Sequence, residues 1–409
     1  MIKILLIILP FVLNAQSLKS ILEYATNNNQ LVASKEFSQE SKQKEVNSRE
    51  SAYYPTLDIG AFYQSVDERD FMRAGDTYSG FAKLGFDIYD GGSKSALLEQ
   101  KQNEYKSTSS DLSDVKKTIA LQITQNFFGI KSLEAVYLSR EEAQKSLEVQ
   151  LKRMTSFYDA QLATKDDVDR LQSAFDTNIY EMESIKLQIL TLKLNLQLQV
   201  GREISSLDNS SFSEDLGNEM ELVDSIKSLQ HSRDALSSLS ESVDSVYYPQ
   251  IRIEDTYSLY GYGNTDALHP EGVDQQNKIM LSANMRLFDN ATIKNSKQAL
   301  EINAQAISKN IEYKTSEQKM QYKLSLATIK TSKIKIKSAE SALVSATSAF
   351  DTIEKKYSAG IVDNVVYLDA LASKTTAASL YETSLNDLQV AYAKYYYYSG
   401  KKIEEFLSE

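Results

Sequence analysis

The sequence has no cysteine and no tryptophan, and only 2 histidines, 4 prolines and 14 glycines among 409 residues. Without cysteine there is no disulfide framework, no thiolate zinc or iron–sulfur site, no cysteine nucleophile and no lipid attachment through an N-terminal cysteine. Two histidines, His231 and His269, leave little for an imidazole metal site or a histidine relay. Positive charge is outweighed as well. The 45 Lys and Arg stand against 56 Asp and Glu, a formal net charge of −11, which argues against nucleic acid, whose phosphates need clustered cations. Apart from a short run at the start, long apolar stretches are missing, so no transmembrane helix is expected. Four prolines fall far below the average usage of about 5%. Scarce proline and glycine mean scarce breaks, and long uninterrupted helices are the first expectation.

At the start, Met1–Ala15 reads MIKILLIILPFVLNA. Lys3 precedes the apolar run Ile4–Leu13, and Leu13-Asn14-Ala15 suits cleavage. The run is too short to span a bilayer as a helix. A secretory signal over 1–15 is expected, which places the rest in the periplasm, outside the cell, or in the outer membrane as a β protein.

The remainder is one unit written twice. Tyr53-Tyr54-Pro55 returns as Tyr247-Tyr248-Pro249. Phe86–Asp90 corresponds to Met285–Asp289, Phe157–Ala160 to Lys356–Ala359, and Gly201 to Gly400, all at an offset of 199. The expected organisation is repeat 1 over 16–201, a linker over 202–218 rich in Ser, Asn, Asp and Gly, and repeat 2 over 219–409. Each repeat opens with a polar helical stretch, Leu18–Ala52 or Glu219–Val246. Pro55 and Pro249 mark the change from helix to strand, because proline disfavours helix at the residue before it.

After each proline the hydrophobic period becomes two. Leu57, Ile59, Ala61 and Tyr63 alternate with Asp58, Gly60, Phe62 and Gln64, and the same pattern marks Ala82–Ile88, Ile251–Leu259 and Ile279–Leu287. Strands are expected at about 56–71, 77–90, 250–262 and 277–289, each with one apolar and one polar face. From there the period is helical: Leu112, Val115, Ile119, Ile123, Phe127, Ile130, Leu133 and Tyr137 step by three or four. Long helices are expected at 92–160, 164–200, 291–358 and 363–399, the longest about 100 Å at a rise of about 1.5 Å per residue, which suits a coiled coil. Ile189–Leu198 alternates like a strand, but its repeat partner Leu388–Tyr398 does not; both are read as helix ending at Gly201 and Gly400.

A one-sided sheet needs a cover. The long helices carry stripes for one another, so lipid is the alternative cover, and every strand has the roughly 9–11 residues a membrane strand needs. Tyr53, Tyr54, Tyr89, Tyr247, Tyr248 and Phe288 gather where strands meet helices. They are either an interfacial girdle or packing at a junction. Four strands cannot close a barrel, and an open edge in lipid is not viable, so several chains would have to share one.

The duplicated strand–strand–helix unit, Tyr-Tyr-Pro before the first strand, Tyr89-Asp90-Gly91-Gly92 after the second, and Tyr357-Ser358-Ala359-Gly360-Ile361 followed by Tyr367-Leu368-Asp369-Ala370 resemble the TolC-type outer-membrane efflux protein family. The resemblance implies an α+β membrane protein: a homotrimer with one shared 12-stranded transmembrane β-barrel, continued by a long periplasmic barrel of coiled helices. It implies passive export from an inner-membrane pump through a periplasmic adaptor, in tripartite efflux or type I secretion. It implies an outer-membrane location in contact with lipid, and no cofactor.

The same resemblance directs attention to the turns Ala160–Thr164 and Ala359–Asp363 as a periplasmic gate. Thr164-Lys165-Asp166-Asp167 fits a capping box, and Asp363 fits an N-cap. By family position Asp167 and Tyr357 would link neighbouring tip helices, Gly360 would make the turn, and Asp369 would line the lumen as a carboxylate ring or lie on a solvated helix face. Gln161 stands where the family has Gly and Val362 where some members have Arg, so the closing network must differ; Arg170 or Lys165 could substitute. No catalytic constellation is found: Gly261-Tyr262-Gly263 opens no helix, His269-Pro270-Glu271-Gly272 reads as a surface turn, and Tyr395–Tyr398 as packing. The rival reading is a periplasmic coiled-coil or adhesin-like structural protein without channel activity.

Overall fold

The computed structural model describes residues 16–67, 74–204, 206–217, 219–264 and 272–408. The segment expected to be a signal, the turn at His269-Pro270 and most of the charged loop after Asp67 lie outside these residues. The element order is α1 Leu18–Asn28, α2 Gln30–Ser51, β1 Thr56–Ser65, β2 Asp76–Asp90, α3 Ser93–Asp159, α4 Lys165–Val200, β3 Ser211–Phe212, α5 Asp224–Asp244, β4 Gln250–Gly263, β5 Gln275–Asn284, α6 Thr292–Ser358, α7 Asn364–Tyr398 and β6 Leu407–Ser408. Two compact units emerge: one from Met1–Lys35, Leu112–Asp224 and Thr315–Glu409, the other from Glu36–Asp111 and Ser225–Lys314.

The second unit holds an open antiparallel sheet in the order β1-β2-β4-β5. The prolines set its lower edge. Thr56 and Gln250, each following a proline, are the first paired residues of β1 and β4. This explains a departure from expectation: β5 stops at Asn284, opposite Gln250, rather than running to Asp289. The next partner would be Pro249, which has no N–H to give. β2 continues to Asp90 along its other neighbour, with a bulge between Asp87 and Tyr89. β1 likewise ends at Ser65, short of the expected 71. Helices of this unit are joined by ion pairs: Lys42 and Lys101 both reach Glu104 and Glu45, at 2.9 to 3.0 Å.

The first unit is helical. α1 buries Leu18, Ile21, Leu22 and Ala25 along one face, a helical spacing that turns one stripe inward. These join Ile119, Ile123, Phe127 and Ile130 of α3, Leu196 and Val200 of α4, and Tyr395 and Tyr396 of α7 in one core. The tyrosine run is packing, as read from sequence: Tyr396 stacks on Phe406 at 3.8 Å between ring centroids, and Tyr395 lies 5.4 Å from Tyr322.

Two details of this unit depart from the sequence reading. The helix expected over Leu18–Ala52 is broken at Asn29, whose Oδ1 accepts from the N–H groups of Leu31 and Val32 while its Nδ2 donates to the Gln199 carbonyl at 2.6 Å. A side chain that caps the following helix ends the preceding one. The 202–218 linker is also not free chain, since β3 within it pairs with β6 and buries Phe212 in the core.

The strand-like segment Ile189–Leu198 lies wholly inside α4. Its alternation has a helical cause. Ile189, Leu192 and Leu196 face the core, while Leu187, Leu190, Leu194 and Leu198 are exposed on the other side. A helix apolar on two faces reads as alternation.

Duplication is visible in the backbone itself. Gly201 and Gly400 end α4 and the run after α7 at φ +84° and +83°. Gly91 and Gly92 enter α3 in the left-handed region, and Asn290 and Ala291 do the same before α6. Asp90 accepts from Lys94 N–H at 2.6 Å, and Asp289 from Ile293 N–H at 2.9 Å, again offset by 199.

Candidate functional site

The sheet turns its apolar face outward. Directly paired residues of an antiparallel ladder share a face, so Leu57, Ile59, Leu84, Ala82, Tyr257, Leu259, Ile279 and Leu281 lie together. Ile59 is 85% exposed, Leu57 70%, Ile279 68% and Leu281 66%, whereas Ser79 and Ser258 on the opposite face are 5% and 8% exposed. One acid stands in the apolar set: Asp255, between Leu84 and Ile279. The polar face carries Lys83–Glu254 at 3.6 Å, Arg252–Glu254 at 2.9 Å and Arg252–Asp87 at 2.8 Å. An apolar face left bare is the opposite of what a sheet in water presents.

The expected interface aromatics fall in this unit, at the Pro55 and Pro249 end of the sheet. Tyr53, Tyr54, Tyr89, Tyr248 and Phe288 are exposed. Tyr247 is half-buried, and its hydroxyl donates to Asp289 Oδ1 at 2.8 Å. The Ile293 N–H, then the Tyr247 hydroxyl, hold the Asp289 carboxyl below its ordinary range, and the carboxylate in turn raises the tyrosine. A second aromatic group, not singled out from sequence, lies at the far end of the apolar face. Tyr63 and Tyr78 pair at 5.1 Å, and Tyr63 donates to Asp76 at 2.9 Å. Tyr63 is marked as apolar by its place in the alternation, which says nothing of height, and Tyr78 lies outside the alternation read for its strand.

The helix turns are built alike. Leu162 N–H donates to Phe157 O and Gln161 N–H to Tyr158 O, as do Ile361 to Lys356 and Gly360 to Tyr357, at 2.8 to 3.0 Å. This is the Schellman pairing, which requires a left-handed residue at its turn. Gly360 supplies it at φ +71°, and Gln161 adopts φ +61° in its place. Thr164 forms the capping box with Asp167, and Asp363 accepts from Val366 N–H at 3.1 Å.

Around the turns, Tyr357 is buried and stacks on Tyr367 at 4.7 Å, with Phe350, Leu147 and Leu171 in the same cluster. Burial pushes the Tyr367 hydroxyl up to about 12. Asp369 is exposed on α7. Asp167 contributes its main chain, whose carbonyl accepts from Asn364 Nδ2 at 3.1 Å. Arg170 pairs with Asp166 on its own helix at 3.7 Å. A second cross-connection comes from a residue sequence reading passed over: Arg153 donates to Ser358 O at 3.0 Å and lies over the rings of Phe157 and Tyr357. Its repeat partner is Thr352, and that asymmetry was the available signal.

Among the described residues no helix is long and apolar enough to cross a membrane, and no acidic or histidine group could hold a metal ion. A mostly helical α+β chain with a bare four-stranded sheet and paired helical hairpins has the fold of an outer-membrane efflux channel protomer. Residues 21–210 match the outer membrane efflux protein family. The fold is similar to that of three solved structures. One is the outer membrane protein VceC of Vibrio cholerae, at TM-score 0.82 and 14% identity over 94% of this chain and 96% of that one. Another is the CmeC outer membrane channel of Campylobacter jejuni, at 0.84 and 12% over 95% and 86%. The third is the open state of the MtrE outer membrane channel of Neisseria gonorrhoeae, at 0.79 and 13% over 94% and 89%. The comparison with curated proteins gives no match. The resemblance drawn from sequence thus stands at the level of family and fold.

Proposed function

We propose that three copies of this chain share one 12-stranded barrel in the outer membrane. The helices continue it into the periplasm as a passive exit duct, fed by an inner-membrane pump through a periplasmic adaptor. The observation that carries this reading is the bare apolar face of a sheet whose edges, β1 and β5, pair with no further strand among the described residues. In water such a face costs about 25 cal/mol per Å² left uncovered; in lipid it is at home. Height agrees. Tyr78 and Tyr89 pair with Gly261 and Ile251, ten residues apart on β4. At about 3.3 Å per residue and a tilt near 40° this gives about 25 Å, the height of an apolar band between aromatic girdles. Tyr53, Tyr54, Tyr89, Tyr247, Tyr248 and Phe288 then form the inner girdle.

At the helix turns, Asp369 is the residue we assign to the gate, with Asp167 and Asp363 capping the helices, Gly360 shaping the turn and Tyr357 packing behind it. Three exposed carboxylates near one axis attract cations. The reading is tested by membrane fractionation, unheated gel electrophoresis and planar-bilayer conductance; a soluble monomer without conductance would support the structural coiled-coil alternative instead. In the same bilayers Asp369→Ala is expected to weaken block by multivalent cations and raise conductance, and unchanged cation sensitivity removes Asp369 from the gate.

A further inference from the structure

We propose that the polar face of the sheet carries a binding collar for planar aromatic solutes, formed by Phe62, Phe81, Tyr260 and Tyr262 at the end away from Pro55 and Pro249. The proposal rests on the duct reading, in which this face lines the lumen. Register places the four together: Phe62 pairs with Ser79 and Ser79 with Tyr260, Phe81 pairs with Gly60, and Tyr262 with Thr77. They share a face with Lys83, Arg252 and Glu254, and stand opposite Tyr63 and Tyr78. Lipid contact therefore does not explain them.

Their packing differs: Phe62 keeps ring surface open, whereas the Tyr262 ring lies against Gly272, whose added Cβ would come within 2.3 Å of it, and its hydroxyl donates to Val273 O at 3.1 Å. A Cβ on Gly60 would come within 2.5 Å of Phe81 Cζ, so the outer end of the Phe81 ring lies over the glycine. Tyr260 and Tyr262 stack nearly parallel, 6.4 Å apart at 12°. Phe62 is 45% exposed and Tyr262 37%. Beneath, Ser79 is buried and its hydroxyl has no hydrogen-bond partner among the described residues.

Of the charges on this face, Lys83, Glu254, Arg252, Asp87 and Lys94 are paired with one another, while Asp58 and Lys278 are exposed. What the four rings add at this level is selection by ring. An aromatic ring gains from stacked or edge-on contact with other rings beyond the area it buries, which a saturated ring of the same size does not. Three copies would bring four rings each to one lumen.

The test uses the full-length protein in planar bilayers, with phenyltrimethylammonium compared with cyclohexyltrimethylammonium. Charge and size are nearly equal, and only the ring differs. The phenyl compound is expected to half-block the current at a concentration roughly two- to tenfold lower. Phe62→Leu with Tyr260→Leu should remove that gap in a protein that still runs as an oligomer on an unheated gel. Phe62→Tyr with Tyr260→Phe should keep it. Equal block by the two compounds in the natural protein, or a gap that survives the leucine pair, overturns the collar while leaving the duct intact. A protein that forms no channel overturns the duct reading and the collar with it.

Discussion

At the scale of single residues, the turns show what happens when one sequence position must serve a fixed backbone. Gln161 and Gly360 occupy the same left-handed turn in the two repeats, and that conformation costs a residue with a Cβ about 1–2 kcal/mol relative to glycine. Gly360→Ala should therefore destabilise its hairpin by about 1 kcal/mol. Gln161→Gly should gain a smaller amount, because glycine also loses more freedom on folding. Thermal or denaturant unfolding of both variants checks the opposed signs; a gain for Gly360→Ala would show that the turn is not held where the hydrogen bonds place it. Asp289 gives a pH dependence. Its folded pKa lies below the ordinary 3.8, so its contribution is present above that value and is lost as pH falls through the lower folded one. Asp289→Ala should thus lower stability at neutral pH, and the difference from the natural protein should shrink as pH falls below the ordinary carboxylate range. A difference independent of pH would mean that the carboxylate's charge plays no part in the cap or in its bond to Tyr247.

At the scale of elements, what was legible followed from local pattern. The four strands, their apolar faces and the helix turns all have a period or a cap within a few residues, and proline marks the starts of β1 and β4. What was not legible depended on partners far along the chain. The stop of β5 at Asn284 is caused by Pro249 on the other strand. The break at Asn29 is secured in part by Gln199, and nothing in a run of three asparagines shows which one will cap. β3 is two residues long, too short for a period. Arg153 finds Ser358 and Tyr357 about two hundred residues away. The Arg153 contact lies between the two hairpins, so Arg153→Ala should speed hydrogen exchange at both turns, by about 1–2 kcal/mol of local opening free energy, while the α1 core keeps its protection. Arg153→Lys should not restore it fully, since a guanidinium stacks on rings and an ammonium does not. Exchange unchanged at the 359–363 turn would mean that the aromatic cluster and the Asn364–Asp167 bond hold the hairpins together without Arg153.

At the scale of the whole molecule, the surfaces one chain leaves bare are of different kinds, and that restricts how copies can meet. β1 and β5 are different edges. The exposed leucines of α4, from Leu187 to Leu198, and the exposed Met320, Leu324 and Ile334 of α6 are different stripes. An interface joining unlike surfaces is head-to-tail, and it ends only by closing a ring. Sharing a barrel requires that closure, because each edge left open in lipid would carry unpaired backbone groups costing several kcal/mol each. The α4 stripe is the surface to disturb, since its outward leucines make no contribution to the core beneath them. Leu190→Glu with Leu194→Glu should leave helix content by circular dichroism unchanged and remove the heat-sensitive oligomer band, because each leucine withdrawn from an interface forfeits about 1.5–3 kcal/mol at every copy. Leu192→Ala or Leu196→Ala, on the inward face of the same helix, should instead lower the unfolding midpoint of the chain, by about 2–5 kcal/mol for the fully buried Leu196. An oligomer that persists with both glutamates in place would show that α4 faces solvent or lumen in the assembly, and the neighbouring copy would then have to dock elsewhere.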